Sequence, residues 1–252
     1  MKKPANKFDC IYVNGCSWAY GSELTDPGSP RITNHFDPVH ERYREQNNWP
    51  TRLATAFGVP VHNNSMPGGS NDRILRTGML DIIQLIKQGA RPFVVIAWSQ
   101  LHRFELPDNN NNYGWRPFVS PKDPNNLEIA RKIWAEHSSD RSDIERWLVQ
   151  IISLDGFLKS HDLNYVSTTV FNSTYPIFER VTEEKYFDPY LHYLKTQMNL
   201  DHHLLHYSLE TYLRQQAGID YGPGGHPLVS GHELISNHLR RHMLNTFQFQ
   251  RQ

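Results

Sequence analysis

The sequence has little cysteine and no net charge, and each of these features excludes some classes of protein. Only Cys10 and Cys16 are cysteines among 252 residues, which gives neither a disulfide framework nor the spacing of a zinc site, so we expect a reducing compartment. Lys plus Arg number 26 and Asp plus Glu number 26. The composition therefore gives no general attraction to nucleic acid or to an anionic membrane, and neither is expected as a partner.

Long apolar runs are also absent. The longest, over residues 93–98 (FVVIAW), has six residues, whereas a membrane-spanning helix needs about 20. Residues 1–8 contain three lysines, and only a four-residue apolar run follows them, which is far shorter than the apolar centre of a signal peptide. These features predict a cytoplasmic protein.

Apolar strands alternate with amphipathic helices along the whole chain. Strands are predicted over 9–14, 59–64, 92–98 and 164–170, and helices over 49–57, 70–87, 127–161, 200–216 and 230–245. Such alternation is typical of a parallel sheet covered on both faces. We predict one domain over residues 1–252, an α/β three-layer sandwich with about five parallel strands in flavodoxin-like order. Insertions are predicted near 24–47, 106–125 and 171–198.

Small and polar residues follow each predicted strand. In open parallel sheets ligands bind beyond the carboxyl ends of the strands, so these residues are the candidates for chemistry. A serine hydrolase needs a hydroxyl on a tight turn, an imidazole to take its proton, and N–H donors for the oxyanion. The turns supply such groups in Gly15-Cys16-Ser17, in 67–71 (PGGSN), in Ser99-Gln100 and in 224–227 (GGHP).

These four segments resemble the four motif blocks of the SGNH/GDSL hydrolase superfamily. Gly15-Cys16-Ser17 is similar to the first block, with Cys16 where the family usually has Asp, and 64–69 (NSMPGG) is similar to the second. Residues 98–101 (WSQL) stand where the third block has Gly-x-Asn-Asp, and His226-Pro227 resembles the last. The resemblance extends over residues 10–240 and implies the SGNH hydrolase fold.

The resemblance also implies roles for particular residues. Ser17 is expected as the nucleophile and His226 as the base, with the backbone N–H groups of Ser17 and Gly69 as oxyanion donors. The oxyanion Asn of the third block is replaced by Gln100, or by Ser99 if the register shifts by one. Both side chains can donate a hydrogen bond.

The triad acid departs from the family pattern. The last block should read Asp-x-x-His, and Pro223 occupies the position three residues before His226. Asp220, six residues before the histidine, is the candidate orienting acid. The alternative is a Ser-His dyad in which a backbone carbonyl orients the imidazole.

Two further residues are candidate substrate contacts. Asn71 follows the second block, and Arg103 follows the third. The plainer readings are a helix cap for Asn71 and, for Arg103, an ion pair with Glu105. The motifs around residues 15–21, 68–74 and 98–105 are also similar to phage-encoded members of the superfamily, which suggests a viral source.

The residues favour neither a metal nor a nucleotide cofactor. His202 and His206 share a helical face, with His203 between them, but only Asp201 stands at matching spacing. The glycine-rich segments lack the spacing of a dinucleotide fingerprint and the Lys-Ser/Thr pair of a phosphate loop. No cofactor is predicted.

The resulting hypothesis is a serine esterase that hydrolyses a small acyl ester through an acyl-serine intermediate. The expected substrate is a small-molecule or carbohydrate ester, such as an O-acetyl group on a sugar. Two alternatives remain open: a non-catalytic binding or virion-associated module that keeps the fold, and an acyltransferase that uses the same Ser-His site. The oligomeric state is left open.

Overall fold

The computed structural model describes residues 7–28, 38–108, 114–118, 128–172, 188–197, 202–204 and 208–247. Within these ranges, a central sheet is formed by strands β1 (Cys10–Asn14), β2 (Val61–Asn63), β3 (Pro92–Trp98), β6 (Tyr165–Thr169) and β7 (His203–Leu204). Every neighbouring pair is parallel, in the order β2-β1-β3-β6-β7. This is the predicted flavodoxin-like order.

The helices lie on both faces of this sheet and complete the predicted three-layer sandwich. In chain order they are α1 (Ser17–Tyr20), a 3₁₀ turn (Pro38–His40), α2 (Glu41–Asn47), α3 (Trp49–Phe57), α4 (Asn71–Lys87), α5 (Glu128–His137), α6 (Asp140–Ser160), α7 (Pro189–Thr196), α8 (Leu209–Arg214) and α9 (Val229–Thr246). None of the helices in the described ranges is both long and apolar enough to cross a bilayer.

The alternating side chains of β1 and β3 build two separate cores. Tyr12 and Ile96 face the layer of α4 and α6, where they pack with Ile74 and Trp147. The alternate side chains of the two strands face the opposite layer, formed by α3, α8 and α9. There Ile11, Val13 and Val95 pack with Leu53, Leu213 and Leu239. Strand β3 is buried at all seven positions, as its apolar sequence predicts for a central parallel strand.

Two segments differ from the predictions. Residues 104–118 contain an antiparallel pair, β4 (Phe104–Asp108) and β5 (Gly114–Phe118), where the sequence predicts an irregular insertion. Pro107 and Pro117 concealed these strands, because proline is tolerated only in edge positions of a sheet. The pair is held by a ring cluster in which Phe104 stacks on Phe118 and both contact Trp134.

The helix predicted over 200–216 is much shorter. Helix α8 begins at Leu209, after the Ser208 side chain accepts a hydrogen bond from Thr211 N–H, and β7 lies before it. Parts of the three predicted insertions lie outside the described residues, namely 29–37, 109–113, 119–127 and 173–187. The histidine cluster considered for a metal includes His206, which lies outside them too.

Helix α9 is fixed to α3 by a buried histidine. His232 is fully buried, and its Nδ1 accepts a hydrogen bond from the backbone N–H of Trp49, the first residue of α3, at 3.1 Å. Burial lowers the pKa of His232 to about 3, with Arg52 and His226 adding to the effect. The neutral imidazole is therefore the form that the fold requires.

Protonation of His232 should make the fold sensitive to acid. The folded pKa lies below the ordinary value of about 6.5, so the unfolded chain binds the extra proton and stability falls as the pH drops below about 6.5. The expected contribution is up to about 1.4 kcal/mol per pH unit. Urea unfolding at pH 7.5 and pH 5.0 measures it.

The His232→Gln variant should be less stable at pH 7.5 and should lose part of this slope. The exposed His62 provides the control, and His62→Gln should keep the wild-type slope. An equal pH dependence in wild type and His232→Gln would contradict the account.

Candidate active site

The carboxyl ends of β1 and β3 lie side by side, and the candidate nucleophile follows β1. Asn14 ends this strand and is fully buried. Its side chain accepts a hydrogen bond from Gly15 N–H at 2.9 Å and donates to Thr77 of α4 at 2.8 Å. The turn that presents Ser17 is thereby fixed from the strand and from the neighbouring helix.

Ser17 is the first residue of α1 and is 5% exposed. A backbone N–H at the first position of a helix has no acceptor within that helix. This N–H can therefore donate to an oxyanion, as the sequence predicts. The Ser17 hydroxyl has no hydrogen-bond partner among the described residues, so the structure contains no Ser17–His226 hydrogen bond.

The second predicted oxyanion donor, Gly69, lies directly against the turn of residues 15–17, which contains the candidate nucleophile. A Cβ on Gly69 would stand 3.1 Å from the carbonyl oxygens of Gly15 and Met66, so only glycine fits here without a shift. Its N–H, however, donates to Met66 O at 3.0 Å. Gly69 therefore lies beside the turn that contains Ser17, but its N–H is occupied within its own turn.

The turn after β3 is built around Asn71. The Asn71 side chain accepts from Ser99 N–H at 2.7 Å and donates to the carbonyl oxygens of Ser99 and Gln100 at 3.4 and 3.5 Å. Asn71 is 2% exposed, and Ser70 is the helix cap instead. Asn71 positions this turn, and its role as a substrate contact stays a prediction.

Ser99 and Gln100, the two candidates for the third oxyanion donor, differ in this turn. Ser99 is fully buried and its hydroxyl accepts a hydrogen bond from Arg103 Nη1 at 2.9 Å. The Gln100 side chain is half-buried and has no hydrogen-bond partner within the described ranges. Gln100 is therefore the better placed of the two to donate to a ligand. Arg103 does not pair with Glu105, whose carboxylate contacts Arg76 at 2.8 Å.

The carboxylate that contacts His226 is Glu23. Its Oε2 lies 2.8 Å from His226 Nδ1 and accepts from His226 N–H at 3.1 Å, and its Oε1 accepts from Gly224 N–H at 2.7 Å. The two side chains are 13% and 15% exposed. Because a carboxylate only accepts, Nδ1 carries the proton and the imidazole is held in one tautomer.

The loop that contains His226 is fitted around this carboxylate. A Cβ on Gly222 would lie 2.6 Å from Glu23 Oε2. Burial acts to raise the pKa of Glu23, but the hydrogen bonds from Gly224 and His226 outweigh it and hold the pKa below its ordinary value. Glu23 itself has a φ of 69°, a conformation that costs a residue other than glycine about 1–3 kcal/mol.

Asp220 is not the acid that contacts His226. It is exposed, and its backbone carbonyl accepts from Leu228 N–H at 3.0 Å, where it helps to close the loop before α9. Six residues separate Asp220 from His226 in sequence, but the side chain of Glu23 occupies Nδ1. The prediction of Asp220 as the orienting acid is replaced by Glu23.

A family described as "Family of unknown function (DUF6071)" matches residues 32–252. The chain belongs to this family. The DUF6071 match begins after Ser17 and Glu23 and includes Gly69, Arg103 and His226. No curated protein matches the sequence.

Two carbohydrate esterases resemble this DUF6071 chain in structure. One, reported with "divergent catalytic and non-catalytic binding functions", is 15% identical; the match covers 97% of this chain and 70% of that one with a TM-score of 0.51. The other is a carbohydrate esterase family 2 enzyme with a carbohydrate binding domain, from Corynascus thermopiles (Myceliophthora fergusii). It is 12% identical over 98% and 68% of the two chains, with a TM-score of 0.53. At these identities the likeness shows the fold, and the predicted SGNH hydrolase fold is confirmed.

The acid at His226 was the residue that sequence reasoning missed. Glu23 lies six residues after Ser17, at the start of a segment that reads as an irregular excursion. An acidic residue this close to the nucleophile was the available signal. Its significance depends on a positive φ and on a contact with a residue 203 positions away, and neither is visible in a single sequence.

Removal of the Glu23 carboxylate should loosen the loop that contains His226. The Glu23→Ala variant loses the acceptor for the backbone N–H groups of Gly224 and His226. Hydrogen bonds to a charged group contribute about 1.5–3 kcal/mol, so the exchange of these two amides should accelerate about ten- to a hundredfold. Hydrogen–deuterium exchange resolved to single residues measures this effect.

The matched control is Asp220→Ala, which removes the other candidate carboxylate. In this variant the hydrogen–deuterium exchange rates of the Gly224 and His226 backbone N–H groups should match those of the wild type. Faster exchange in Asp220→Ala than in Glu23→Ala would contradict the assignment.

Proposed function

We propose that the protein is a serine esterase that hydrolyses a small acyl ester, with Ser17 as nucleophile, His226 as base and Glu23 as the acid that orients His226. The observation that carries the proposal is the contact between Glu23 and His226 Nδ1. It joins the segment that follows Ser17 to the loop in which the resemblance expects the base. The fold shared with two carbohydrate esterases supports the same class of reaction.

The proposed reaction has two steps. Ser17 Oγ attacks the ester carbonyl carbon while His226 Nε2 takes the hydroxyl proton, and the intermediate collapses as His226 returns that proton to the leaving alcohol. Water then attacks the acyl-serine and gives a proton to His226. This second intermediate collapses as His226 returns the proton to Ser17 Oγ and the acid is released. Glu23 accepts the hydrogen bond from His226 Nδ1–H throughout and stabilises the imidazolium that forms in each step.

The oxyanion would be held by donors at the ends of β1 and β3. The N–H of Ser17 lies in the first turn of α1, where the helix dipole favours negative charge, and the Gln100 amide is a second donor. Gly69 N–H can contribute after it leaves Met66 O. One oxyanion donor typically contributes about 10²–10³ in rate.

The missing Ser17–His226 hydrogen bond is consistent with a site that tightens when substrate binds. In ligand-free enzymes such catalytic hydrogen bonds are often long or poorly aligned. The strained φ of Glu23 points in the same direction, because backbone strain persists where the surrounding structure enforces it, often at active sites. An acetyl group on a carbohydrate remains the favoured substrate.

Hydrolysis of p-nitrophenyl acetate and butyrate tests the proposal. The wild type should hydrolyse acetate faster than butyrate, and Ser17→Ala should remove the activity. Glu23→Gln should lower kcat by about 10²–10⁴, because loss of a triad carboxylate can cost about 10⁴. Asp220→Asn is the control and should keep the wild-type rate.

Activity that survives in Ser17→Ala would overturn Ser17 as nucleophile. A folded wild type without hydrolysis of either ester would favour a binding module that keeps the fold. Equal losses in Glu23→Gln and Asp220→Asn would contradict the assignment of the acid.

A further inference from the structure

Arg103 is a buried cation whose side chain interacts with Ser99 and Cys16. It is 8% exposed, and no carboxylate contacts its guanidinium among the described residues. Its Nη1 donates to Ser99 Oγ at 2.9 Å, and its Nε is buried without a hydrogen-bond partner. The guanidinium also lies 5.1 Å from the ring centroid of Phe171.

Two other arginines of the same region contact carboxylates. Arg76 contacts Glu105 at 2.8 Å, and Arg146 contacts Asp143 at 3.3 Å. A charge removed from water without a partner is costly, and proteins avoid this unless another group compensates it. Burial lowers the pKa of Arg103, while its interactions with Cys16 raise it.

The guanidinium lies between the carboxyl ends of three neighbouring strands. Cys16 follows β1, Ser99 follows β3 and Phe171 follows β6, and Arg103 contacts or interacts with each of them. Phe171 also packs edge-on against Trp18 at 6.0 Å. Cys16 therefore interacts with Arg103 directly, and Trp18 contacts the same Phe171 ring as Arg103 does.

This position coincides with the point where the strand order reverses. Strand β1 has β2 on one side and β3 on the other, and doubly wound sheets bind their ligands in the crevice between such strands. A ligand that occupied this crevice would therefore lie close to the guanidinium. A planar guanidinium with donors to spare is suited to bind a carboxylate through two parallel hydrogen bonds.

We propose that Arg103 binds a permanent negative charge on the substrate, so that the preferred ester carries a carboxylate. The inference rests on the proposed esterase function and gives its substrate a charge. A permanent anion compensates the buried charge in the bound state, whereas a neutral ester leaves it unpaired until an oxyanion forms.

Two acetyl esters that differ in charge test this inference. The first is 4-acetoxybenzoate and the second is the neutral 4-acetoxybenzamide, and both release acetate. The ratio of kcat/KM values is compared between wild type and Arg103→Gln, because the comparison cancels the different reactivities of the two esters. Arg240→Gln, an exposed arginine on α9, is the matched control.

Arg103→Gln should lower kcat/KM for 4-acetoxybenzoate about ten- to a hundredfold, the usual size of a hydrogen bond to a charged group. The value for 4-acetoxybenzamide should change less than about threefold. An equal loss for both esters would overturn the proposal, because it would show that Arg103 stabilises the oxyanion that every ester forms.

A binding measurement separates this inference from the esterase proposal and does not depend on the folding of Arg103→Gln. By calorimetry, wild type and Ser17→Ala should both bind 4-hydroxybenzoate at least tenfold more tightly than 4-hydroxybenzamide. This preference without any ester hydrolysis would overturn the esterase and retain the anion site. Equal affinity for the two ligands would overturn the anion site, whatever the esterase assay shows.

Discussion

The candidate site depends on one carboxylate that joins two distant parts of the chain. Glu23 accepts hydrogen bonds from two backbone N–H groups and one imidazole of the 224–226 segment. Glu23 lies three residues after the short helix α1, which begins at Ser17, so few residues separate the proposed nucleophile from the carboxylate that contacts the proposed base. The positive φ of Glu23 and the absent side chain of Gly222 allow this approach.

The sheet and its order could be predicted because their signals are local and strong. Neighbouring residues alone indicate the apolar run that forms β3, the helical spacing of apolar residues in α4, and the Ser70 cap of that helix. The choice of Ser17, Gly69 and His226 as candidates followed from the resemblance to the motif blocks of the SGNH/GDSL superfamily. Elements stabilised by distant contacts were missed: the proline-containing hairpin needs Trp134 from α5, and Glu23 needs the loop before α9.

The residues of the candidate site differ in whether their charge is compensated within the protein. Asn14 and Asn71 use their amides to hold the turns after β1 and β3, so both are neutral supports. Glu23 has its charge compensated by three donors. Arg103 donates to Ser99 Oγ and interacts with the Cys16 side chain, and no carboxylate contacts it in the described part of the chain. The site thus combines a satisfied carboxylate with an unsatisfied cation, and this asymmetry favours an anionic ligand.

The most direct test of the account is a crystal structure of the protein after reaction with an organophosphonate that labels active serines. The account predicts phosphorus bonded to Ser17 Oγ, with His226 Nε2 within hydrogen-bond distance of Ser17 Oγ and Glu23 still bound to His226 Nδ1. An unmodified Ser17, or a labelled Ser17 with His226 turned away towards Asp220, would contradict it.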